Sequence, residues 1–416
     1  KDLRSFLRLL VVLSQDYDII LMNPPYGARN RIPNDVKDYI EERYEYEPEF
    51  YINFFEVCQS VSKKCGRVGM LVPRSFMFKR TFEPFRTDFV TGKRGSFDFL
   101  AEYGIGVLDK ATVRTVGTIV RVRARPDTEL SGLFFRLHDV DKESKEPKFL
   151  EAAFSDPEAD GYPRSFSQGV SEFGLIPGSP LSYWVPSNLR SLYETDVVFD
   201  AENARLARES LGMVKQGVAT GNDSRFVHHF WENPKGEKWI PLAKGGEDAW
   251  IVPRINKLIN WFSNGSEIKR IEGSRPQNVQ HFFSEALTFT YIKESGKRFG
   301  FLNGYSIFSH TGFCFIPDRA MWKVLAYANS DLVTYLMLAQ TTGRHWNVGE
   351  VAKLPWSKSL EEEERLEVAA KEIAGLLISL RRHELRSPYY HGSSLLSFIS
   401  EVRQCLKTRV YGSSAG

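Results

Sequence analysis

Asn23-Pro24-Pro25-Tyr26 stands directly behind the apolar run Asp18-Ile19-Ile20-Leu21-Met22. These residue types, in this order, suit chemistry on an aromatic amine. The exocyclic amine of a base such as adenine is a poor nucleophile, because its lone pair is delocalised into the ring. Two acceptors placed on its two hydrogens draw the nitrogen toward tetrahedral geometry and offset the positive charge that grows as it attacks. The Asn23 side-chain oxygen and a proline carbonyl make such a pair. Consecutive prolines fix the backbone and carry no N–H, so their carbonyls can face a cavity. Tyr26 offers a flat face on which an unstacked base can lie. The plainer reading is a tight turn after a strand, since Asn-Pro marks turns.

The surrounding pattern decides between these. A helical spacing of Leu3, Phe6, Leu7 and Leu10 precedes the strand Asp18–Met22. Tyr51, Phe54, Phe55, Cys58 and Val61 then fall at helical spacing, with Lys63 and Lys64 in the last turn and Gly66 placed as a C-terminal cap. The apolar strand Arg67–Val72 follows, closed by Pro73-Arg74-Ser75. Helix, short loop and apolar strand form half of a doubly wound α/β sheet. Phe97–Tyr103 reads as a further strand. Val113–Arg123 alternates like an edge or hairpin strand, and Gly132–Leu137 reads as another.

Four segments follow from composition. Residues 1–150 hold the α/β pattern. Residues 151–199 are rich in Gly, Pro and Ser without periodicity and read as a linker or irregular excursion. Residues 200–356 carry short strands, many Gly turns and one strong helix around Asp318–Leu338. Residues 357–416 form a helical tail. It opens on the capping box Ser359-Leu360-Glu361-Glu362, and Leu366, Ala369, Ile373, Leu376, Leu377 and Leu380 make one apolar stripe that needs a partner surface.

With strand–NPPYG, the aromatic helix, GRVGMLVPRSFM and FDFLAEYGIGVLDKATVRTVGTIVRVRA in that order, the chain resembles the catalytic domain of amino-DNA methyltransferases of the adenine-N6 kind. GVATGNDSRFVHHFW, WIPLAKGG, EIKRIEGSRPQN and LAYANSDLVTYLMLAQTTGRHWNVGEVAKLPW resemble the target-recognition half of large single-chain enzymes of that type. The likeness is nearest to the PglX methyltransferases of BREX phage-defence loci, and less near to fused restriction–methylation enzymes. The resemblance implies a Rossmann-like methyltransferase sheet followed by a mixed α+β recognition domain. It implies S-adenosyl-L-methionine as cofactor, double-stranded DNA as partner, and phage defence or restriction–modification as setting. It also implies that Asn23, Pro24, Pro25 and Tyr26 hold and stack the flipped adenine.

Two departures stand out. Related enzymes bind the cofactor through a Gly-containing loop after the first strand and an acidic residue after the second. Only 22 residues precede Asn23, so neither fits there, and Asn23 alone gives a partial wall. Gly104-Ile105-Gly106 follows a strand and Glu102, but no helix pattern opens behind it. The chain is therefore expected to be truncated or to be one half of a split enzyme, with a separate N-terminal half or other defence-system subunits as partners. The second departure is Gly106-Val107-Leu108-Asp109, which lacks the ring that relatives often place against the other face of the base.

A net charge of +3 is far from that of a small basic DNA-binding module. Charge is instead concentrated: residues 254–298 carry eight Lys and Arg against four Glu, interleaved with Trp261, Phe282, Phe283, Phe289, Tyr291 and Phe299. This reads as a nucleic-acid surface or as an ordinary solvated surface over an aromatic core. The sharpest DNA-contact candidates are Asn222, Asp223 and Arg225 beside Gly221, with Lys269, Arg270 and Arg275 for phosphates. Cys58, Cys65, Cys314 and Cys405 form no metal pattern, and adjacent His228 and His229 on a strand would face opposite ways, so no metal site is expected. No apolar run reaches a membrane span and no signal peptide is seen, which points to the cytoplasm. Two other classes stay open: a DNA-binding or assembly subunit without catalysis, and modification of RNA or a protein glutamine.

Overall fold

Every second residue of the apolar runs faces one common core, and this alternation builds the first sheet. The computed structural model describes residues 2–382, apart from 28, 47–48, 109–112, 123–130, 155–162, 233–235, 237, 247–249, 294–295 and 342, together with residues 384 and 402. Two units divide the chain, Lys1–Glu194 and Thr195–Gly416.

The first unit begins with α1 (Asp2–Leu13), β1 (Tyr17–Met22), α2 (Asn34–Arg43), α3 (Phe50–Ser60) and β2 (Ser62–Pro73). It continues through α4 (Glu83–Val90), β3 (Ser96–Gly104), β4 (Thr115–Arg121), β5 (Ser131–Arg136), α5 (Lys145–Phe154) and β6 (Ser165–Gly169). The sheet order is β1-β2-β4-β3-β5-β6. β1 runs parallel to β2 and β3 parallel to β5, while β4 is antiparallel to both β2 and β3. The fold is α/β with a mixed sheet. Val68, Met70, Val72, Val116, Val120 and Phe97 point to one face and are buried. α3 and α4 cover that face, with the rings of Phe55, Phe85 and Phe89 packed edge to face. Cys58, expected as core, lies there and is buried.

Three sequence expectations change. Val113–Arg123 reads as an edge or hairpin strand; β4 is the hairpin partner of β3, but it lies inside the sheet and not at its edge. Its alternation comes from the second sheet face, where Gly117, Ile119 and Arg121 are only half-buried. Arg123 lies outside the described residues. Gly66 does not cap a helix. α3 ends at Ser60, and β2 starts at Ser62 with a bulge against β1 and Cys65 in the left-handed region at φ 62°. Residues 151–199 are not simply a linker. β6 pairs antiparallel with β5, and Leu181, Tyr183 and Val185 are buried, with Tyr183 stacked on Phe134 at 5.1 Å.

Charges are also buried in this unit. Glu102, near the end of β3, is fully buried and meets Arg74 Nε at 2.5 Å; the Tyr183 hydroxyl donates to it at 3.2 Å. His138 Nδ1 stands 3.7 Å away, and burial pushes its pKa below the ordinary histidine value. Burial likewise lowers the pKa of Arg74. The cluster ties the Pro73-Arg74-Ser75 turn to β3.

In the second unit, Glu285–Thr290 pairs with Phe299–Asn303 and Gly312–Pro317, and Gly212–Lys215 adds at the edge. A second four-stranded sheet joins Val227–His229, Lys257–Asn260, Trp239–Ala243 and Ile307–Phe308. The helix expected over Asp318–Leu338 is two helices, Met321–Ala328 and Asp331–Gln340. Asn329 breaks it: its side chain bonds both the N–H and the carbonyl of Phe299, and Ser330 then caps the next helix. In the tail the long helix is Glu364–Arg381, capped by Glu363, so Ser359–Glu362 is a separate short turn. Its buried seam runs through Ala370 and Ala374, whereas Leu376 and Leu380 remain exposed. Among the described residues no helix is long and apolar enough to cross a membrane.

Glu102→Gln strands the buried Arg74 guanidinium. Unfolding in denaturant should show a loss of about 3–5 kcal/mol; a loss within measurement error would mean that the pair is not structural.

Candidate active site and nucleic-acid face

The parallel register of β1 with β2, Met22 opposite Met70, fixes where the chain leaves the sheet. Asn23 emerges exposed, Pro24 is buried beneath it and Pro25 is exposed. The Tyr26 hydroxyl donates to the Leu71 carbonyl at 3.0 Å, one residue past the last β1–β2 pair. Burial raises the hydroxyl's pKa, so it remains a neutral donor. The edge of the Tyr51 ring meets Tyr26 at 6.4 Å and 76° between planes. Tyr51 is itself buried, and its hydroxyl lies 3.0 Å from Ser75 Oγ. Gly27 follows because the Phe50 ring occupies the space of a side chain: a Cβ there would stand 2.4 Å from it. Asn23 and Tyr26 therefore sit on a braced turn, not a free loop. The sequence reading missed the brace of Tyr51, Ser75 and Phe50. Its one signal was a tyrosine among the phenylalanines of α3, followed by a serine just after β2.

No glycine loop accompanies this turn among the described residues. Gly104 and Gly106 are left-handed at φ 74° and 94°, but a Cβ on Gly104 would stand 2.7 Å from the His138 main chain. Gly104 is thus used for close packing of β3 against the segment after β5. β3 continues into an antiparallel partner, not a helix pointing at a ligand. Gly104 and Gly106 therefore do not fit a loop around a nucleoside cofactor. Val107 is exposed and Leu108 half-buried; Asp109 lies outside the described residues.

The second sheet face remains open over β1 and β2. Leu21, Gly69, Ile119 and Phe99 line a depression of about 490 Å³ that reaches Asn23, with α5 covering only the Phe99 end. Ile19 and Leu21 are 66% and 79% exposed. In α1, Leu3, Phe6, Leu7, Leu9, Leu10, Val11, Val12 and Leu13 are exposed all round, a composition that belongs to a covered helix.

In the second unit Val218–Ala219 pairs with Arg275–Pro276. Gly221, at φ 73°, lets its turn approach Glu272 and Ser274 to about 3 Å of a would-be Cβ. This brings Asn222–Arg225 beside 267–276. Asn222 accepts from the Arg225 N–H at 3.2 Å and caps a short turn. Asp223 accepts from the Thr220 hydroxyl at 2.6 Å and pairs with Lys244. Arg225 forms an exposed ion pair with Glu267. Lys269, Arg270 and Arg275 are exposed, with no ion-pair partner among the described residues. Elsewhere the basic segment divides. Arg298 is buried and donates to five backbone carbonyls, and Lys297 pairs with Asp331. Trp261, Phe282, Phe289 and Phe299 are core. His228 Nδ1 lies 2.6 Å from Glu232, and His229 stacks on Trp231.

Residues 5–96 match the Eco57I restriction-modification methylase family. The chain is 23% identical over 380 residues to the adenine-specific methyltransferase BrxX of Escherichia coli O9:H4 (strain HS). It is 24% identical over 390 residues to the adenine-specific methyltransferase PglX of Lacticaseibacillus casei (strain Zhang). Each comparison covers 86% of this chain but only 29% and 31% of those proteins, so the chain spans less than a third of their length. The structure of the Type IIL restriction-modification enzyme MmeI in complex with DNA aligns with 96% of this chain and 55% of that one, at 12% identity and a TM-score of 0.50, a likeness of fold.

If Lys269, Arg270 and Arg275 meet DNA phosphates, Arg270→Ala and Arg275→Ala each weaken binding to every duplex sequence alike. Each also lowers the slope of log affinity against log salt by about one. Binding isotherms across salt concentrations provide the check; two variants with unchanged affinity and slope would place the DNA elsewhere.

Proposed function

We propose that the chain is the base-presenting and DNA-binding part of a site-specific adenine-N6 DNA methyltransferase, in phage defence or restriction–modification. The observation that carries this is the braced Asn23–Tyr26 turn at the end of β1, within the segment that matches a methylase family. In this reading adenine leaves the duplex and lies on Tyr26. Its amine donates one hydrogen to Asn23 Oδ1 and the other to a proline carbonyl of the same turn. Acceptors held in place before the reaction stabilise the developing charge without reorganisation, and the packing of Tyr26 and Gly27 restrains the turn that carries them. S-adenosyl-L-methionine would supply the methyl group. Its glycine loop and ribose carboxylate are to be sought in a neighbouring polypeptide segment, since the described residues do not form them.

A second reading has its own support. The open edge of β1, the open sheet face and the bare α1 are also what a DNA-binding or assembly part, inactive alone, would show. Calorimetry on these 416 residues separates the two halves of the proposal. No micromolar affinity for S-adenosyl-L-methionine is expected; such affinity would reveal a cofactor site in this chain.

Asn23→Ala, placed in the full-length protein, removes one acceptor. Methyl incorporation into DNA should fall by about 10²–10³-fold, roughly 2.7–4 kcal/mol in the barrier, with the fold intact. An unchanged rate would sink the assignment.

A further inference from the structure

The second unit contains a cavity of about 270 Å³ whose lining does not include Lys269, Arg270 or Arg275. The Ala243–Gly246 turn and the Pro253–Lys257 segment wall it, and Thr288 and Thr290 line it from the strand Glu285–Thr290. Three cations line it, Lys244, Arg254 and Lys257, and no acid does among the described residues.

The arrangement is costly without an anion. Lys244 is half-buried, and its pKa is lowered first by that burial and then by the nearby Lys257 charge. Asp223 engages Lys244 and Glu384 engages Arg254 at 3.1 Å, but Lys257 has no acid partner among the described residues. Thr290 is 2% exposed, and its hydroxyl oxygen makes no hydrogen bond there. A buried hydroxyl without a partner forgoes its hydrogen bond at a cost of about 1–3 kcal/mol, so one is retained mainly where something else completes it. Gly245 and Gly246, left-handed at φ 75° and 85°, present bare main chain to the same space. A Cβ on Gly246 would meet nothing within 4 Å, so space is open beside it.

We propose that this cavity is an oxyanion site for a phosphate group, which Lys257 and Lys244 neutralise and the Thr290 hydroxyl orients. Under the proposed function its natural occupant is a phosphodiester of the bound DNA, held by cations other than Lys269, Arg270 and Arg275. A cation that meets a phosphate adds affinity without reading sequence.

The test uses the full chain, Lys257→Gln and the near-isosteric Thr290→Val, with circular dichroism to confirm that each folds. Two probes are titrated: a fluorescent duplex across salt concentrations, and inorganic phosphate by calorimetry. Lys257→Gln should lower duplex affinity for all sequences and reduce the salt slope by about one, and Thr290→Val should weaken phosphate binding. Loss of phosphate binding with an unchanged duplex slope would keep the oxyanion site and assign it to a free phosphate ligand. A wild-type chain that binds phosphate but no duplex would remove the DNA reading and leave the cavity's role standing. If both variants match wild type for both probes, the proposal is overturned.

Discussion

The parallel pairing of β1 with β2 governs the proposed chemistry. Five backbone registers, ending at Met22 opposite Met70, set the point where Asn23 leaves the sheet. A slip of one residue would turn Met22 away from Cys58 and point Leu21 into the α3 face. It would also carry Tyr26 away from the Leu71 carbonyl. The turn takes its position from this register, and Tyr51 and the Phe50 ring pack Tyr26 and Gly27 against α3. The rigidity matters because a preorganised acceptor is effective only where the amine nitrogen arrives.

The same register leaves a requirement unmet. A parallel strand with one bonded edge has a row of unpaired N–H and C=O groups on the other, and parallel sheets are normally covered on both faces. Among the described residues the outer edge of β1 has no partner strand, Ile19 and Leu21 stand exposed on the sheet face, and the apolar side chains of α1 are exposed. A strand added parallel to β1, with helices over the second face, meets all three. The same addition would bring new main chain to the end of the sheet where Asn23 stands.

Much of the first unit could be read in advance because its signals are local. Apolar runs gave the strands β1, β2 and β3 within a few residues, and Asn23–Tyr26 stood out by composition alone. What escaped was set by distance in sequence. The alternation of β4 suited an edge strand as well as the hairpin it forms with β3, because one sheet face is open, a fact that no single strand records. Residues 151–199 looked irregular because β6 is short and its partner β5 lies some thirty residues earlier. The break at Asn329 depends on Phe299, and the Arg225–Glu267 pair joins segments that only the Gly221 turn brings together. Arg298 counted toward a basic surface, yet it is core, because five carbonyls from separate loops converge on its guanidinium. Charge counted along a sequence does not distinguish a solvated arginine from one that knits a core.

The proposed role of the turn after β1 is to present the amine of adenine. Its most direct test is the identity of the modified base. DNA from a host that expresses the full-length protein containing this chain, and from the same host without it, would be digested to nucleosides and measured by mass spectrometry. N6-methyladenine is expected above the host's background, confined on sequencing to one recognition motif. No added methylated nucleoside, or methylation at a ring carbon of cytosine, would contradict the proposed role, because two acceptors aimed at amine hydrogens have no part in that chemistry.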